Sequence, residues 1–406
     1  MRGKQRRLVD HSELSDHEKK NLLILEIIRR KGPIARADIA RMTDLNNVTV
    51  TSYVDQFLKK KALVEAGVHV STGGRKPTLV DLDSETALAI GVGINAADFT
   101  AVLTDLKGKI LHKAKVERTA DTIGRPVESI IASVKHLITE SKVDMTKVHG
   151  IGVGVPGIVN HNNGTVRWPR GLIEGDLTIS NSITNNIYDA FEIPVIIDND
   201  ANLAVFGEQW SSEIGHDIKS AVYLYSGSGC GLMFHGRIHR GNSGAAGEFL
   251  FDLKKEDPVS WLSGAVESGN WALDLGITAR ANESIKNGKG DKIKECMQSD
   301  HVQMQDVASA AQSGDVTATT ILEDAGHALG ARAAMLTNLL DPELIIVGGG
   351  IEAAGVIFIE AIRQQIKESA VPEAASKVRV AASQLGENAV PMGAAALVVQ
   401  NFFISV

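Results

Sequence analysis

A run of polar side chains in the middle of the chain has the types and spacing for binding hydroxyl groups. The segment 198–202 is Asp-Asn-Asp-Ala-Asn; it follows the apolar run 194–197 and precedes a helix predicted over Ala201–Trp210. Side chains at such a strand-to-helix junction project into the cleft of an α/β lobe. A carboxylate beside an amide can accept hydrogen bonds from vicinal sugar hydroxyls and donate to them. Helix capping is the alternative interpretation, and it would explain one of these residues.

A second polar group lies near the N-terminus. A helix predicted there has apolar residues at i, i+4, i+7 and i+8, counted from Val50. Its opposite face carries Thr49, Ser52, Gln56 and Lys59. Hydroxyls and an amide on that face can bond base edges or phosphates in a DNA major groove. Because any amphipathic helix has a polar face, this helix alone leaves DNA binding and a solvated surface about equally open.

The elements around that helix favour DNA binding. An apolar stripe that starts at Leu23 predicts a first helix, with Ser15 or Asp16 available as its N-cap. A short second helix over Arg36–Met42 and the turn Thr43–Asn46 then lead into the helix with the polar face. The order helix, short helix, tight turn, helix is the helix-turn-helix pattern.

A glycine-rich basic segment follows the three helices. Two short apolar strands, 65–70 and 78–80, flank the tip Ser71–Pro77, in which Arg75 and Lys76 are adjacent. A slim backbone with two cations at its end suits the narrow, negative minor groove of DNA, so we interpret the tip as a wing. A plain exposed hairpin is the alternative, and the position directly after a helix-turn-helix favours DNA contact.

The remainder of the chain repeats one arrangement. Three strands make up each copy, over 89–94, 100–105 and 108–110 in the first half and over 221–225, 232–234 and 236–238 in the second. An apolar strand ending in glycines follows each copy, at 148–157 and at 343–350. Such duplication predicts two similar α/β lobes with a ligand cleft between them.

The N-terminal part of the chain, residues 1–82, which we call the head, differs in net charge from the remainder, which we call the body. Residues 1–82 hold 16 Lys and Arg against 10 Asp and Glu, a net +6, so the remainder carries −13 within the total of −7. This distribution is expected when only the head touches nucleic acid. Two cysteines in 406 residues exclude a disulfide framework, and no uninterrupted apolar stretch reaches a membrane span. These features predict a cytoplasmic protein of two or three domains.

The ordered motifs along the chain resemble the ROK family (repressor, open reading frame, kinase). The matching segments are Ser71–Arg75, Gly154–Val159, Asp198–Asn202, Gly227–Gly229, Gly244–Glu248 and Gly264–Glu267. The resemblance implies an α/β fold class: an N-terminal winged helix-turn-helix followed by a two-lobed, actin-like and hexokinase-like (ribonuclease H-like) ATPase fold. The expected domains are 1–82, then a first lobe over 83–197 to which a helix 390–406 could return, and a second lobe over 198–389.

The resemblance also assigns roles to residues of the cleft. It implies sugar contacts by Gly157, Asn199, Asp200, Glu248 and Glu267, with Asp200 matching the base that deprotonates the sugar in kinase members. Two or more carboxylates, an amide and a backbone group suit a polyol, because each hydroxyl needs a partner once buried.

Two departures from the family pattern bear on cofactors. In the first phosphate loop, Gly93 stands where kinases need an aspartate, and Asn95-Ala96-Ala97 replaces a Gly-Gly-Thr turn. Phe251 replaces a histidine of the family zinc site, and no cysteine lies between Cys230 and Cys296. We therefore expect no nucleotide cofactor and no metal.

These observations predict a sugar-responsive, DNA-binding transcriptional regulator of the family's repressor branch, which represses genes of carbohydrate uptake or catabolism, rather than an enzyme. Its expected partners are a double-stranded DNA operator, a small carbohydrate effector and further copies of itself in a homodimer or homotetramer. A sugar kinase acting on a hexose or N-acetylhexosamine with ATP is the alternative, supported by Asp200 and by the second loop at Gly227–Gly229. A third hypothesis is a sensor that docks a transporter subunit.

Overall fold

The fold is described from a computed structural model. It covers residues 14–68, 77–95, 98–117, 126–161, 164–167, 183–215, 217–225, 229–248 and 275–406. Within these residues, a small N-terminal unit with one three-stranded sheet precedes two five-stranded sheets. In the part of the chain that forms the two five-stranded sheets, strands are interspersed with helices, as expected of an α/β fold.

The N-terminal unit begins with three helices. They are α1 (Asp16–Lys31), α2 (Arg36–Thr43) and α3 (Asn47–Lys59). Ser15 begins α1 through a capping box, in which its hydroxyl accepts from the Glu18 N–H at 3.3 Å. The predicted apolar stripe of α1 is wrong in one position, because Leu23 is exposed and Leu25 is buried instead. Leu25 lies on the same side of the helix as the buried Ile28, three residues on.

A small antiparallel sheet completes the N-terminal unit. Its strands are β1 (Ile34–Ala35), β2 (Leu63–Val68) and β3 (Thr78–Leu82), and β3 lies between the other two. The predicted wing tip joins β2 to β3, and its residues Arg75 and Lys76 lie outside the described residues. The order of helices and strands is the one predicted for a winged helix.

The first large sheet mixes parallel and antiparallel strands. They are β4 (Leu88–Ile94), β5 (Asp98–Thr104), β6 (Ile110–Glu117), β7 (Val148–Val155) and β10 (Val195–Asn199), in the order β10-β7-β4-β5-β6. Its helices are α4 (Pro126–Ser141) and α5 (Ile183–Phe191), and a short hairpin joins β8 (Ile158–Asn160) to β9 (Thr165–Arg167). The strands β10, β7 and β4 are parallel, so their carboxyl ends meet at one edge.

The second large sheet repeats this plan. Its strands are β11 (Ala221–Tyr225), β12 (Gly229–Phe234), β13 (Arg237–Ile238), β14 (Leu344–Gly348) and β15 (Arg379–Ala382), in the order β13-β12-β11-β14-β15. In both sheets an antiparallel three-strand meander is followed by two parallel strands. The duplication predicted from the sequence is therefore confirmed.

Two helices lie between the sheets. These are α6 (Asp200–Ser211), which packs against β11 and β12, and a C-terminal helix (Ala389–Ser405), which packs against β4 and β7 and also against α6. Between them along the chain come α7 (Ile277–Lys286), α8 (Asp291–Cys296), α9 (Met304–Gln312), α10 (Val316–Leu340), α11 (Gly355–Ser369) and α12 (Pro372–Ala375), so the C-terminal helix is α13. Short 3-10 turns cover Met145–Lys147, Ile351–Ala354 and Gly386–Asn388.

Helix α13 is the apolar centre of the first half of the body. Gly91 of β4 and Gly152 of β7 lie so close to its backbone that a side chain at either position would collide with Pro391 or Ala394. Within the described chain, one helical segment, Gly386–Ser405, is long and apolar enough to cross a membrane, and 83% of the 18-residue stretch that meets this test is buried in the protein. Since it fills the space between two sheets, its apolar character is that of a core helix.

Candidate functional site

The candidate site lies where β10 ends and α6 begins. Asp198 pairs with Gly154 and Asn199 with Val155 across the parallel strands β10 and β7. Ligands of open α/β sheets collect outside the carboxyl ends of such strands. The loop after β7 reaches the same place, because Gly157 turns there with a φ of 100°.

Asn199 combines helix capping with a contact in the site. Its side-chain oxygen accepts from the Asn202 N–H at 3.1 Å, which makes Asn199 the N-cap of α6. Its amide nitrogen donates to the Gly157 carbonyl at 3.1 Å and lies 3.5 Å from Oε1 of Glu248. The capping interpretation is thus correct for the side-chain oxygen of Asn199, while its amide nitrogen contacts two other predicted ligand-binding residues, Gly157 and Glu248.

Asp200 is a buried carboxyl group at the first position of α6. Its Oδ1 accepts from the Ala201 N–H at 2.8 Å. Burial, with the Glu248 carboxylate as a second cause, raises the pKa of Asp200 to about 8. Burial also raises the pKa of Glu248. At neutral pH the pair therefore retains a proton, so the site offers both a hydrogen-bond donor and an acceptor.

Glu248 reaches the site from the second half of the body. The Gly247 carbonyl accepts from the Cys230 N–H of β12 at 2.9 Å, and Gly247 has a φ of 91°. This turn directs Glu248 towards Asn199 of the first sheet. The two halves of the body together form the site, and four of the five predicted ligand-binding residues converge there. Glu267, the fifth, lies outside the described residues.

Asp198 connects the site to residues that sequence reasoning missed. Its fully buried carboxylate accepts from Arg240 through Nε at 2.8 Å and Nη2 at 2.6 Å. The Asn202 amide and the Asn199 N–H also donate to it, at 3.3 and 2.8 Å. His161 Nε2 lies 3.6 Å away, and burial lowers the pKa of His161. Asp198 stood in a recognisable motif, whereas nothing in the sequence around Arg240 or His161 pointed to this network.

At the position of the degenerate first phosphate loop, Gly93 and Asn95 are described, whereas Ala96 and Ala97 lie outside the described residues. A Cβ atom at Gly93 would lie 2.7 Å from Pro391 Cδ and 3.0 Å from Val390 Cβ, so α13 occupies the space of a side chain. The Asn95 amide donates to Asp98 at 2.9 Å and to Thr100 at 3.0 Å, inside the β4-β5 hairpin. Its side chain is thereby held within the hairpin.

No three His, Cys, Asp or Glu side chains are grouped to hold a metal ion within the described part of the chain. The expectation that no zinc is bound depends on Phe251, which lies outside the described residues.

The predicted DNA-binding face lies on α3. Ser52, Gln56 and Lys59 are exposed and Thr49 is half-buried. The Asn46 side chain caps this helix by accepting from the Thr49 N–H at 2.7 Å. Val50, Val54 and Phe57, on the other side, are fully buried. The four polar side chains thus form one accessible face, as predicted, while the role of that face in DNA binding stays a prediction.

Comparisons with known proteins cover both the head and the body. The xylose repressor of Caldicellulosiruptor bescii is 27% identical over 388 residues, which span 94% of this chain and 95% of that protein. A crystal structure of a ROK family transcriptional regulator, a homologue of the E. coli Mlc protein, superposes with a TM-score of 0.71 at 22% identity, over 96% of this chain and 97% of the other.

A ROK family glucokinase from Streptomyces griseus, solved with glucose and AMPPNP, covers 77% of this chain and 99% of its own at a TM-score of 0.63 and 26% identity. The ROK family profile matches residues 89–401. The body of this protein therefore has the family's two-lobed kinase-like fold, and the chain belongs to the ROK family.

Proposed function

We propose that this protein is a sugar-responsive transcriptional regulator, a repressor whose head binds operator DNA. The observation that carries the proposal is the presence, in one chain, of a basic head with an exposed polar face on α3 and a buried carboxyl and amide site in the body. A relative named as a xylose repressor matches both parts over 94% of the chain. A sugar kinase needs only the body.

The ligand class follows from the chemistry of the site. Asp200 keeps its proton at neutral pH, because burial and then the Glu248 carboxylate raise its pKa to about 8, and burial raises the pKa of Glu248 as well. Asn199 adds an amide, and Gly157 adds a backbone carbonyl. Each hydroxyl of a polyol is both a donor and an acceptor, so each buried hydroxyl finds a partner among these groups. A pentose or hexose meets this requirement, and the name of the relative makes D-xylose the first candidate.

Regulation would arise because the site is formed by both halves of the body. A sugar that contacts Asn199 on one side and Glu248 on the other favours one relative arrangement of the two sheets. In a dimer or tetramer, this arrangement sets the spacing of two winged heads on DNA, so affinity changes by differential binding to two states. The protein would act in the cytoplasm, where the operator is.

The test is sequence-selective DNA binding by the purified full-length protein. Affinity is measured by electrophoretic mobility shift on the upstream region of its own gene and on a random duplex of equal length, at the same salt concentration. D-xylose, D-glucose and N-acetyl-D-glucosamine are each added in parallel. We expect tighter binding to the upstream region and a change on addition of one sugar. Equal affinity for both duplexes contradicts the proposal.

A sugar kinase is the second candidate, and Asp200 favours it. A carboxyl with a pKa near 8 is suited to removing a proton from a hydroxyl, and the body resembles a glucokinase. Against it, Gly93 leaves no space for the aspartate of a phosphate loop, because Val390 and Pro391 fill it. Coupled detection of ADP with hexoses, N-acetylhexosamines and pentoses distinguishes the two. Turnover that Asp200→Asn abolishes would establish the kinase.

A further inference from the structure

The head is fixed to the body by a buried cation on an aromatic ring. Arg29 of α1 lies with its guanidinium carbon 3.8 Å from the ring centroid of Trp210, and its Nη1 donates to the Trp210 carbonyl at 3.1 Å. The Arg29 side chain is only 6% exposed. A cation stacked on an indole and held by a hydrogen bond has one defined position, so movement of Trp210 is passed to α1.

Glu26 holds Arg29 in this position from within the head. Its carboxylate accepts from Arg29 Nε at 2.9 Å and Nη2 at 2.8 Å, in a two-pronged pair. It also accepts from Arg30 Nε at 2.7 Å. The guanidinium is therefore fixed on the head side by Glu26 and on the body side by Trp210.

Helix α6 connects this contact to the candidate site. Asn199 caps its first turn and Trp210 lies in its last turn, 11 residues or about 17 Å further along one unbroken helix. Trp210 is buried and packs on Phe206 of the same helix and on Phe403 of α13. Since a helix moves as a rigid rod over this length, a shift at Asn199 displaces Trp210.

A second contact reaches the head through α13. Lys60, the residue that follows α3, donates from Nζ to the Val406 carbonyl at 2.9 Å. The Asn21 amide of α1 donates to the carbonyls of Ile404 at 3.3 Å and Val406 at 3.2 Å. Gly393 of α13 lies against the backbone of Leu203 in α6, so the two helices cannot slide independently.

We propose that the stacking of Arg29 on Trp210 transmits occupancy of the Asn199 and Asp200 site to α3, with the Lys60 contact as its support. This inference rests on the proposed function, since it names how the sugar site controls the DNA-binding face. The ligand moves or holds the start of α6, Trp210 carries that change to Arg29, and α1 repositions the head.

The experiment compares three full-length variants with the wild type. Arg29→Ala removes the contact, Arg29→Lys keeps a cation for the ring, and Lys20→Ala removes a cation of α1 whose partner, Asp16, is within the head. Each protein is assayed for operator affinity with and without D-xylose, and for D-xylose binding by calorimetry.

D-xylose is expected to change the operator affinity of the wild type about tenfold, a typical coupling. In Arg29→Ala, the ratio of operator affinities without and with D-xylose falls to near one, while the dissociation constant for D-xylose is unchanged. Lys20→Ala keeps the wild-type ratio, and Arg29→Lys recovers part of it. A full ratio in Arg29→Ala overturns the inference.

Hydrogen exchange of the ligand-free proteins separates this inference from the proposed function. Arg29→Ala is expected to speed exchange of the α3 amides about threefold or more, with β10 and β14 unchanged, because the head loses its anchor. Lys20→Ala leaves α3 as in the wild type. If the wild type shows no DNA selectivity, the proposed function fails, and the exchange of α3 then tests separately whether Arg29 anchors the head, which the inference requires. Unchanged exchange of α3 in Arg29→Ala contradicts it.

Discussion

At the scale of single residues, the body holds two buried acidic groups with different hydrogen-bond partners. Asp198 has a guanidinium and two N–H donors around it, so its charge is neutralised where it stands. Asp200, two residues on, accepts from the Ala201 N–H at 2.8 Å, and its burial, with the Glu248 carboxylate as a second cause, raises its pKa to about 8. The partners of Asp198 are those of a structural ion pair, whereas the raised pKa of Asp200 is typical of a functional site.

Stability of the ligand-free protein is expected to fall between pH 5 and pH 8 through Asp200. Its folded pKa of about 8 lies above the ordinary 3.8, so in this range the folded state keeps a proton that the unfolded chain has released. Rising pH therefore favours unfolding. Melting temperatures of the wild type and Asp200→Asn are measured from pH 5 to 8.5, and the decline should be shallower in the variant. Parallel curves would contradict the assignment.

Arg240→Ala is expected to lower the free energy of unfolding by about 3 kcal/mol, because Asp198 is left as an unpaired buried charge. Urea unfolding measures the loss. Adding Asp198→Asn to the same variant should recover a substantial part of it, since the uncompensated charge is then gone. No recovery in the double variant would mean that Arg240 acts through packing alone.

At the scale of elements, the position of each helix decides what its residues can do. Helix α13 fills the space beside β4 that a phosphate-binding aspartate would need, and α6 presents Asn199 at one end and Trp210 at the other. In the head, α3 keeps its apolar side in the core and its polar side in solvent. The polar side of α3 is therefore accessible to a partner, and α6 connects the candidate site with the contact to the head.

Gly93→Asp is expected to destabilise the protein rather than to restore a phosphate loop. The new side chain must displace Pro391 or Val390, and such overpacking costs about 1 to 3 kcal/mol. Thermal unfolding and ADP release with D-xylose or D-glucose are measured, with Lys109→Asp at an exposed turn as the control. If the Gly93→Asp protein were active and stable, α13 would be able to move away from position 93 and admit the new side chain.

Lys59→Ala on α3 is expected to weaken binding to all DNA sequences and to reduce the slope of log affinity against log salt by about one. Arg75→Ala in the predicted wing should instead flatten the preference for an A/T-rich step. Lys109→Ala on the body is the control for charge. If Arg75→Ala left the DNA affinity unchanged, the predicted wing would not enter the groove.

At the scale of the whole molecule, the predicted DNA-binding face and the candidate ligand site lie in different parts of one chain. Residues 1–82 carry a net +6 and the remainder −13, a distribution that predicts attraction of DNA to the head and not to the body. The head nevertheless shares a continuous apolar core with the first sheet and α13. This continuity makes the head a fixed part of the molecule through which the body can act.

Glu248→Gln is expected to impair sugar binding and to leave the DNA affinity of the ligand-free protein unchanged, because the two sites share no residue. Calorimetry with D-xylose and mobility shift with the operator measure the two properties separately. Glu373→Gln, on the exposed surface of α12, is the control. If Glu248→Gln bound the sugar as tightly as the wild type, Glu248 would not be a sugar-binding residue.

The sequence by itself determined the local elements and the main motif. Hydrophobic period predicted the three helices of the head, and the repeated strand pattern predicted two similar sheets, because both signals depend only on neighbours along the chain. Resemblance to a family added Glu248, which the sequence around it would have left as a surface glutamate. Those predictions required no knowledge of distant contacts.

Only the tertiary structure decided which distant residues meet. Arg240 lies 42 residues from Asp198 and Trp210 lies 181 from Arg29, and neither pair has a local signature. The raised pKa of Asp200 likewise follows from burial by elements far along the chain. Pairing, burial and the closing of the space beside Gly93 are properties of packing, which a periodic pattern in a sequence does not encode.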